Sequence, residues 1–440
     1  MPSLSLNASK KTKHTPAGEI PVDWGWAELA RFATIKHGFA FEGPSMSAKA
    51  TTGPIVVAIG NFKYTGGFRF DTTKRQRFVG QETPRDYILK PGALLVAMTC
   101  QTPGGEILGI PGQIPDDGET YLHNQRLGLV EVAEERPLSK HYLYHVFCWE
   151  PFNRFLFERA TGTKVKHTSP STILSYPAAL PPLPEQRRIA AILSTWDRAI
   201  ETLESLIAAK DRRKKALMQQ LLTGRKRLPG FDQSSGLTKR DRFERYPADW
   251  EALRLGQITT ETGKRNSRGG DHPVLSCTKH HGLVLSEEYF GRRVHAEDTS
   301  NYRLVHRGEF AYATNHIEEG SIGYQDLCET GLVSPIYTAF KSNGRVSPNY
   351  LFRVLKSPLF LHLYQVNTSA SVDRRGSLRY KEFSQLPVWL PSRSEQDAIT
   401  SVFDTIDREL ALHRQHLATL RTQKRGLMQK LLTGQVRVSP

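Results

Sequence analysis

One stretch of this 440-residue chain occurs twice. Residues Glu185–Gly224 read EQRRIAAILSTWDRAIETLESLIAAKDRRKKALMQQLLTG, and residues Glu395–Gly434 read EQDAITSVFDTIDRELALHRQHLATLRTQKRGLMQKLLTG. The offset is a constant 210 residues with no gap, and between Leu180–Arg227 and Leu390–Arg437 18 of 48 positions are identical. The chain is therefore an internal duplication, and its fold must contain two of whatever this stretch builds.

Each copy predicts a heptad helix. The first seam is Ile189, Leu193, Trp196, Ile200, Leu203, Ile207, Lys210, Lys214, Leu217 and Leu221. The second is Ile399, Phe403, Ile406, Leu410, His413, Leu417, Leu420, Lys424, Leu427 and Leu431. Steps of four and three alternate throughout, which is the 3.5-residue period of a coiled coil rather than the broader stripe of a helix on a globular core. Both copies follow prolines, with Ser394 a candidate N-cap for the second, and both end in Leu-Leu-Thr-Gly, which predicts Gly224 and Gly434 just past the helix ends. About forty residues at 1.5 Å each make a rod of roughly 60 Å, whose seam needs covering. The duplicate helix is the obvious partner. Lys214 and Lys424 fall on the seam at equivalent positions. Snorkelling of the stem at a frayed end accounts for them; a device that fixes register or orientation is the alternative.

The formal charge is +16, spread along the chain, which points to a polyanionic partner, nucleic acid first. No apolar run approaches a membrane span, and the first residues lack a signal-peptide core, so a cytoplasmic location is expected. Cys100, Cys148, Cys277 and Cys328 are scattered, with no zinc or disulfide spacing.

A second echo brackets each repeat. Pro21-Val22-Asp23-Trp24, with Leu29, recurs as Pro247-Ala248-Asp249-Trp250, with Leu255. Each half thus opens on Pro-x-Asp-Trp and closes on Leu-Leu-Thr-Gly. The expected organisation is a basic disordered tail over 1–20, a globular domain over 21–179, a helix over 180–227, a linker over 228–246, a second globular domain over 247–389 and a second helix over 390–437. Within the globular parts, strands are expected at Pro54–Ile59, Ala93–Met98, Leu127–Val132, Pro273–Leu275, Phe310–Ala313 and Ile336–Phe340, and one helix each near His141–Phe157 and Asn349–Val366. After each helix comes a basic loop, Thr161–His167 or Ser369–Arg379. The fold class is α+β: two mixed α/β domains separated by two long helices packed as an antiparallel coiled coil.

This pattern resembles the specificity subunit of type I restriction–modification systems, from Pro21 to Arg437. The residues that carry it are Leu-Pro-Pro-Leu-Pro-Glu-Gln-Arg-Arg-Ile-Ala at 180–190, its second copy with Glu395, Gln396 and Ile399, and the two Leu-Met-Gln-x-Leu-Leu-Thr-Gly exits. The second copy departs from the pattern at Leu390-Pro391-Ser392-Arg393-Ser394, which lacks the second proline pair, and is more polar at His413 and His416. The resemblance implies that each globular region is a target-recognition domain reading one half of a bipartite site in double-stranded DNA, with the helices as spacer. It implies a subunit that is not itself an enzyme and binds no cofactor. Two modification subunits using S-adenosylmethionine, and motor-nuclease restriction subunits using ATP and magnesium, would supply the chemistry.

Candidate DNA contacts are loop-borne basic and amide residues, the types that hold phosphates and read base edges. In the first domain they are Lys63, Arg69, Lys74, Arg75, Arg77, Gln101, Thr102, Asn124, Arg126, Lys164 and Lys166. In the second they are Lys264, Arg265, Arg268, Lys279, His280, Asn315, His316, Arg374, Arg375 and Arg379. Lys74-Arg75-Gln76-Arg77 and Arg374-Arg375 are the densest clusters. Tyr64 and Phe68 flank the first and fit the core better than a base. No phosphate-binding Gly-x-x-x-x-Gly-Lys-Ser/Thr loop, cofactor-binding glycine fingerprint or methyltransferase motif is present. Asp116, Asp117 and Glu119 suit a turn around Gly118 better than a nuclease site, and Lys279-His280-His281 is a weak metal pattern. The competing readings are a stand-alone restriction or modification enzyme with fused recognition domains and a coiled-coil scaffold with no DNA role.

Overall fold

The computed structural model describes residues 6–8, 11–71, 75–133, 137–231, 237–240, 245–368 and 377–438. It divides into two units, residues 1–203 with 416–440, and residues 204–415.

The first unit is centred on a four-stranded antiparallel sheet of β1 (Ala33–His37), β2 (Leu94–Ala97), β3 (Pro111–Gln113) and β4 (Leu127–Val132), in the order β3-β2-β4-β1. Every residue of β2 is buried, as a central strand covered on both faces requires. A five-stranded sheet flanks it, with Ile55–Val57 parallel to Tyr121–His123. Helices α1 (Lys140–Phe147) and α2 (Glu150–Glu158) stand where one helix was expected. Pro151 lies in the first turn of α2, where proline is tolerated because no intrahelical N–H is needed, and the chain bends there.

The duplicated helix α3 (Leu183–Leu221) gives its first half to this unit and its second half to the other. In the second unit, β5 (Thr259–Thr262), β6 (Glu309–Ala313), β7 (Ile322–Tyr324) and β8 (Tyr337–Ser342) form a sheet in the order β5-β8-β6-β7. That is the first unit's order strand for strand. Helices α4 (Pro348–Leu355) and α5 (Pro358–Thr368) follow, separated at Pro358 as α1 and α2 are at Pro151. The two globular parts thus share a frame, despite little common sequence. They differ outside it: the second unit has two two-stranded pieces, Leu275–Thr278 with Gly282–Leu285 and Arg303–His306 with Thr330–Val333, and no five-stranded sheet among its described residues.

The repeat of α3 is α6 (Arg393–Leu432). Ser392, not Ser394, caps it: the Glu395 N–H donates to Ser392 Oγ at 3.3 Å. Every expected seam residue of both helices is buried or half-buried. Within each unit the helix halves run antiparallel. Asp197 meets Lys424 and Glu185 meets Arg437 in the first unit; Asp407 meets Lys214 and Glu395 meets Arg227 in the second. Lys214 and Lys424 therefore do not snorkel. Each of these two ends on an aspartate of the facing helix, which fixes the register.

The Glu-Gln that starts each repeat is the joint between helix and domain. Gln186 is fully buried; its Oε1 accepts from the Ser139 N–H at 2.8 Å and its Nε2 donates to Pro137 O and Pro181 O. Gln396 repeats this with the Ser347 N–H at 2.9 Å and Pro391 O. Glu185 accepts from Trp24 Nε1 at 3.0 Å and from Arg437 Nε and Nη2, while Arg437 Nη1 and Nη2 donate to Asp23. Glu395, Arg227 and Asp249 form the matching triad. Burial is the larger influence on the Glu395 carboxyl and raises its pKa even beside Arg227.

The halves also close crosswise. Gly434 has φ +70°, and a Cβ there would meet Pro21 at 2.5 Å; Gly224 has φ +67° and would meet Pro247 at 2.5 Å. The opening motif of each half thus packs on the closing motif of the other copy. Only glycine satisfies both the left-handed cap and the close approach. The expected disordered tail is partly strand: Thr12–Thr15 pairs with Gly18–Pro21, and Leu6–Ala8 pairs with Val436–Val438. The expected linker likewise ends in a hairpin, Leu237–Arg240 with Arg245–Pro247.

Candidate nucleic-acid interface

In each unit the loops beyond one end of the common four-stranded sheet come together. In the first unit the chain leaving β2 continues as Thr99–Cys100, which pairs with Lys166–His167. The Thr168 N–H donates to Met98 O at 2.9 Å, the Met98 N–H to Arg126 O at 3.2 Å, and Thr99 Oγ1 lies 3.2 Å from His167 Nδ1. Three segments far apart in sequence are thereby joined: the loop after β2, the turn before β4, and the basic loop after α2. Thr161 and His167 exchange backbone hydrogen bonds of 3.0 and 2.9 Å, closing that loop. Gly162 makes the closure possible, since at φ +90° a Cβ would lie 2.0 Å from Val165 O. Asn153 Nδ2 donates to Gly105 O and Leu108 O, pinning the loop after β2 to α2.

This arrangement gathers six expected residues: Gln101, Thr102, Asn124, Arg126, Lys164 and Lys166. Gln101, Arg126 and Lys164 are exposed. The Lys166 ammonium lies 5.5 Å from the Phe157 ring centroid, which holds its stem. Thr102 is engaged by Glu106, and this hydrogen bond holds the Glu106 carboxyl below the usual range.

The second unit builds the same end with other residues. The Leu378 N–H donates to Thr314 O at 2.9 Å, the counterpart of Thr168 on Met98, and Thr314 Oγ1 donates to Ile336 O at 2.8 Å. Beyond β5, the Leu304 N–H donates to Lys264 O at 2.8 Å, and Arg303 donates to Gly263 O and Pro335 O. The Asn266 side chain closes the turn that exposes Arg268, with bonds of 2.9 and 3.0 Å to Gly270. Lys356 Nζ donates to Lys279 O at 2.8 Å and to Gly320 O at 2.7 Å, tying the Lys279-His280 turn to the Asn315-His316 loop. Desolvation lowers the pKa of Lys356. Sequence reasoning missed this positioning lysine. Lys264, Arg265, Arg268, Lys279, His280, His316 and Arg379 are all exposed, and Asn315 is half-buried. Arg374 and Arg375 lie outside the described residues.

The remaining described first-domain candidates are elsewhere and already engaged. Arg77 is a correction. It is 7% exposed and bidentate to Glu119, with distances of 2.9 and 2.6 Å. A guanidinium so buried is a structural ion pair and not a phosphate contact. Arg75 donates to Phe70 O at 2.9 Å, Arg69 pairs with Asp71 at 3.1 Å, and Lys63 pairs with Glu201 of α3 at 2.8 Å. Lys74 lies outside the described residues. Phe68 packs edge-on to Phe62 at 4.6 Å, whereas Tyr64 is exposed. Asp117 accepts from Tyr121 Oη at 2.8 Å and from the Glu119 N–H, so the acidic run is a turn. Among the described residues, His316, Glu318 and Glu319 have ligand atoms within 4.8 Å of one another, on one mostly exposed turn.

Residues 21–209 match the family model described as the type I restriction modification DNA specificity domain. The chain is similar, over this stretch, to the DNA specificity domain of type I restriction–modification systems. It is 24% identical over 456 residues to the putative type I restriction enzyme MjaX specificity subunit of Methanocaldococcus jannaschii, covering 99% of both chains. The type I restriction enzyme EcoBI specificity subunit of Escherichia coli is 22% identical, covering 90% of this chain and 82% of the relative. The fold is that of the type I restriction–modification S subunit from M. genitalium, with a TM-score of 0.55, 15% identity and coverage of 97% of this chain and 99% of the other. No helix among the described residues is long and apolar enough to cross a membrane.

Proposed function

We propose that the two sheet-end loop clusters are the reading heads of this specificity subunit, each contacting one half of a bipartite DNA site. The observation that carries this is the recurrence of one strand order with one loop end, rebuilt from unrelated residues. A common frame with divergent loops is what two heads for two sequences require. In the first head, Lys164, Lys166 and Arg126 hold phosphates while Gln101 and Asn124 reach base edges; in the second, Lys264, Arg265, Arg268 and Arg379 position and Asn315, His316 and His280 read. The helices α3 and α6 act as the spacer that sets the gap between half-sites. The chain supplies no catalytic centre. Two modification subunits would bring S-adenosylmethionine, and restriction subunits would bring ATP and magnesium, in the cytoplasm.

Incubating the purified chain alone with DNA and S-adenosylmethionine should give neither methylation nor cleavage; either activity would favour a stand-alone enzyme. Mapping methylated adenines in a host carrying the subunit with its partners should return a split motif with a constant gap. A continuous motif would contradict the two-headed reading.

A further inference from the structure

The duplication allows one half to be used as a reference for the other, and one place breaks the correspondence. From Ser139–Phe152 to Ser347–Phe360 the offset is 208 residues, so Tyr142, Leu143, Val146 and Phe152 match Tyr350, Leu351, Val354 and Phe360, all buried. In this register Trp149 corresponds to Ser357. In the first unit Trp149 packs on the core cluster that includes Val146, Phe152, Ala178, Met428 and Leu432, and its Nε1 donates to Gln429 Oε1 at 3.2 Å. The matching residues of the second unit, Val354, Phe360, Val388, Met218 and Leu222, line a cavity of about 230 Å³, and Gln219, the counterpart of Gln429, lines it too. The second unit does have an extra tryptophan, Trp389 in place of Ala179. It stacks on Tyr246, with centroids 4.8 Å apart and an interplanar angle of 15°, and so forms a wall of the cavity rather than its filling.

We propose that this cavity binds an indole-type aromatic ring, presented as a side chain by a partner protein of the complex. Its apolar walls repeat those that hold Trp149, and Gln219 repeats the acceptor for the ring N–H. Apolar cavities of roughly 150 Å³ take up benzene, so 230 Å³ has room for a two-ring system. An aromatic anchor in a preformed pocket is also the usual centre of a protein interface. The partner as source rests on the subunit reading above; the ring-binding site does not.

The test uses the full chain and N-acetyl-tryptophanamide as probe, followed by ligand-observed NMR. Saturable binding is expected, and its loss in Ser357→Trp, which restores the first half's filling. No saturable binding by the parent chain, or undiminished binding by a folded Ser357→Trp variant, would overturn the site. Gln219→Leu gives a check that needs no large side chain in the core. It should weaken the probe by up to about tenfold, the size of one hydrogen bond, and leave the 1-methylindole analogue unaffected. Equal effects on both probes would refute the indole assignment. Finally, Ser357→Trp should assemble less well with the other subunits. Probe binding with unchanged assembly would remove the partner side chain and leave a free aromatic ligand as occupant.

Discussion

Replacing Arg77 by alanine would leave Glu119 without its guanidinium in a half-shielded site. Breaking a fully buried pair costs about 3–5 kcal/mol; with Glu119 still 34% exposed, screening reduces this to roughly 2 kcal/mol. Denaturant unfolding should show that loss, while the salt dependence of DNA affinity stays unchanged. Lys164→Ala and Lys166→Ala should do the reverse, each lowering the slope of log affinity against log salt by about 1 with little change in stability. An unchanged slope in both lysine variants would take the loop off the DNA. Arg77 also marks where sequence reading stops. Its charge and its basic neighbours are visible in the chain, but its direction is set by Glu119, 42 residues away. His145 gives a pH prediction. Burial first, and the nearby Lys424 second, lower its pKa to about 3, so its 3.8 Å approach to Asp197 is no ion pair at neutral pH. The unfolded chain protonates this ring near pH 6.5 and the folded chain does not until about 3. Stability should therefore fall as pH drops through that window. Unfolding curves of His145→Gln should show a shallower loss there.

At the scale of the element, the long helices were the most legible part of the chain, because a seam repeated over ten positions leaves a period that no local detail hides. Their caps were less so: Ser392 and Ser394 offer equally good capping acceptors, and only backbone geometry chooses between them. The seam lysines needed the facing helix to be interpreted. Lys424→Met should cost about 2 kcal/mol by leaving the 34%-exposed Asp197 uncompensated, and the double variant Asp197→Asn/Lys424→Met should recover most of it. If the double variant were as unstable as the single, the pair would not be what holds that register. The central strands β2, β4, β6 and β8 were legible as short apolar runs between glycines and prolines, whereas the edge strands β1, β3, β5 and β7 were not. The common order of the two sheets was not legible either, since pairing across β2 and β4 leaves no mark in either strand alone. A weak signal did exist in the shared Ser-x-x-Tyr-Leu of α1 and α4.

At the scale of the molecule, inserting one heptad at matching positions of α3 and α6 should change the gap in the methylated motif and leave both half-sites as they were. An unchanged gap would mean that the helices do not measure it. The reading heads themselves were legible only as clusters of basic and amide residues. Which loops meet is decided by hydrogen bonds such as Thr168 to Met98 and Leu378 to Thr314, made between segments that the sequence keeps apart. The crosswise closure has a consequence for damage. Arg437 holds Glu185 and Asp23, Gly434 seats Pro21, and Val438 sits in the core of the first domain. A stop codon just after Leu432 would thus be felt at the opposite end of the message. The last domain to leave the ribosome would keep its own supports, while the first, already made, would lose the tail that locks it and with it the half-site it reads.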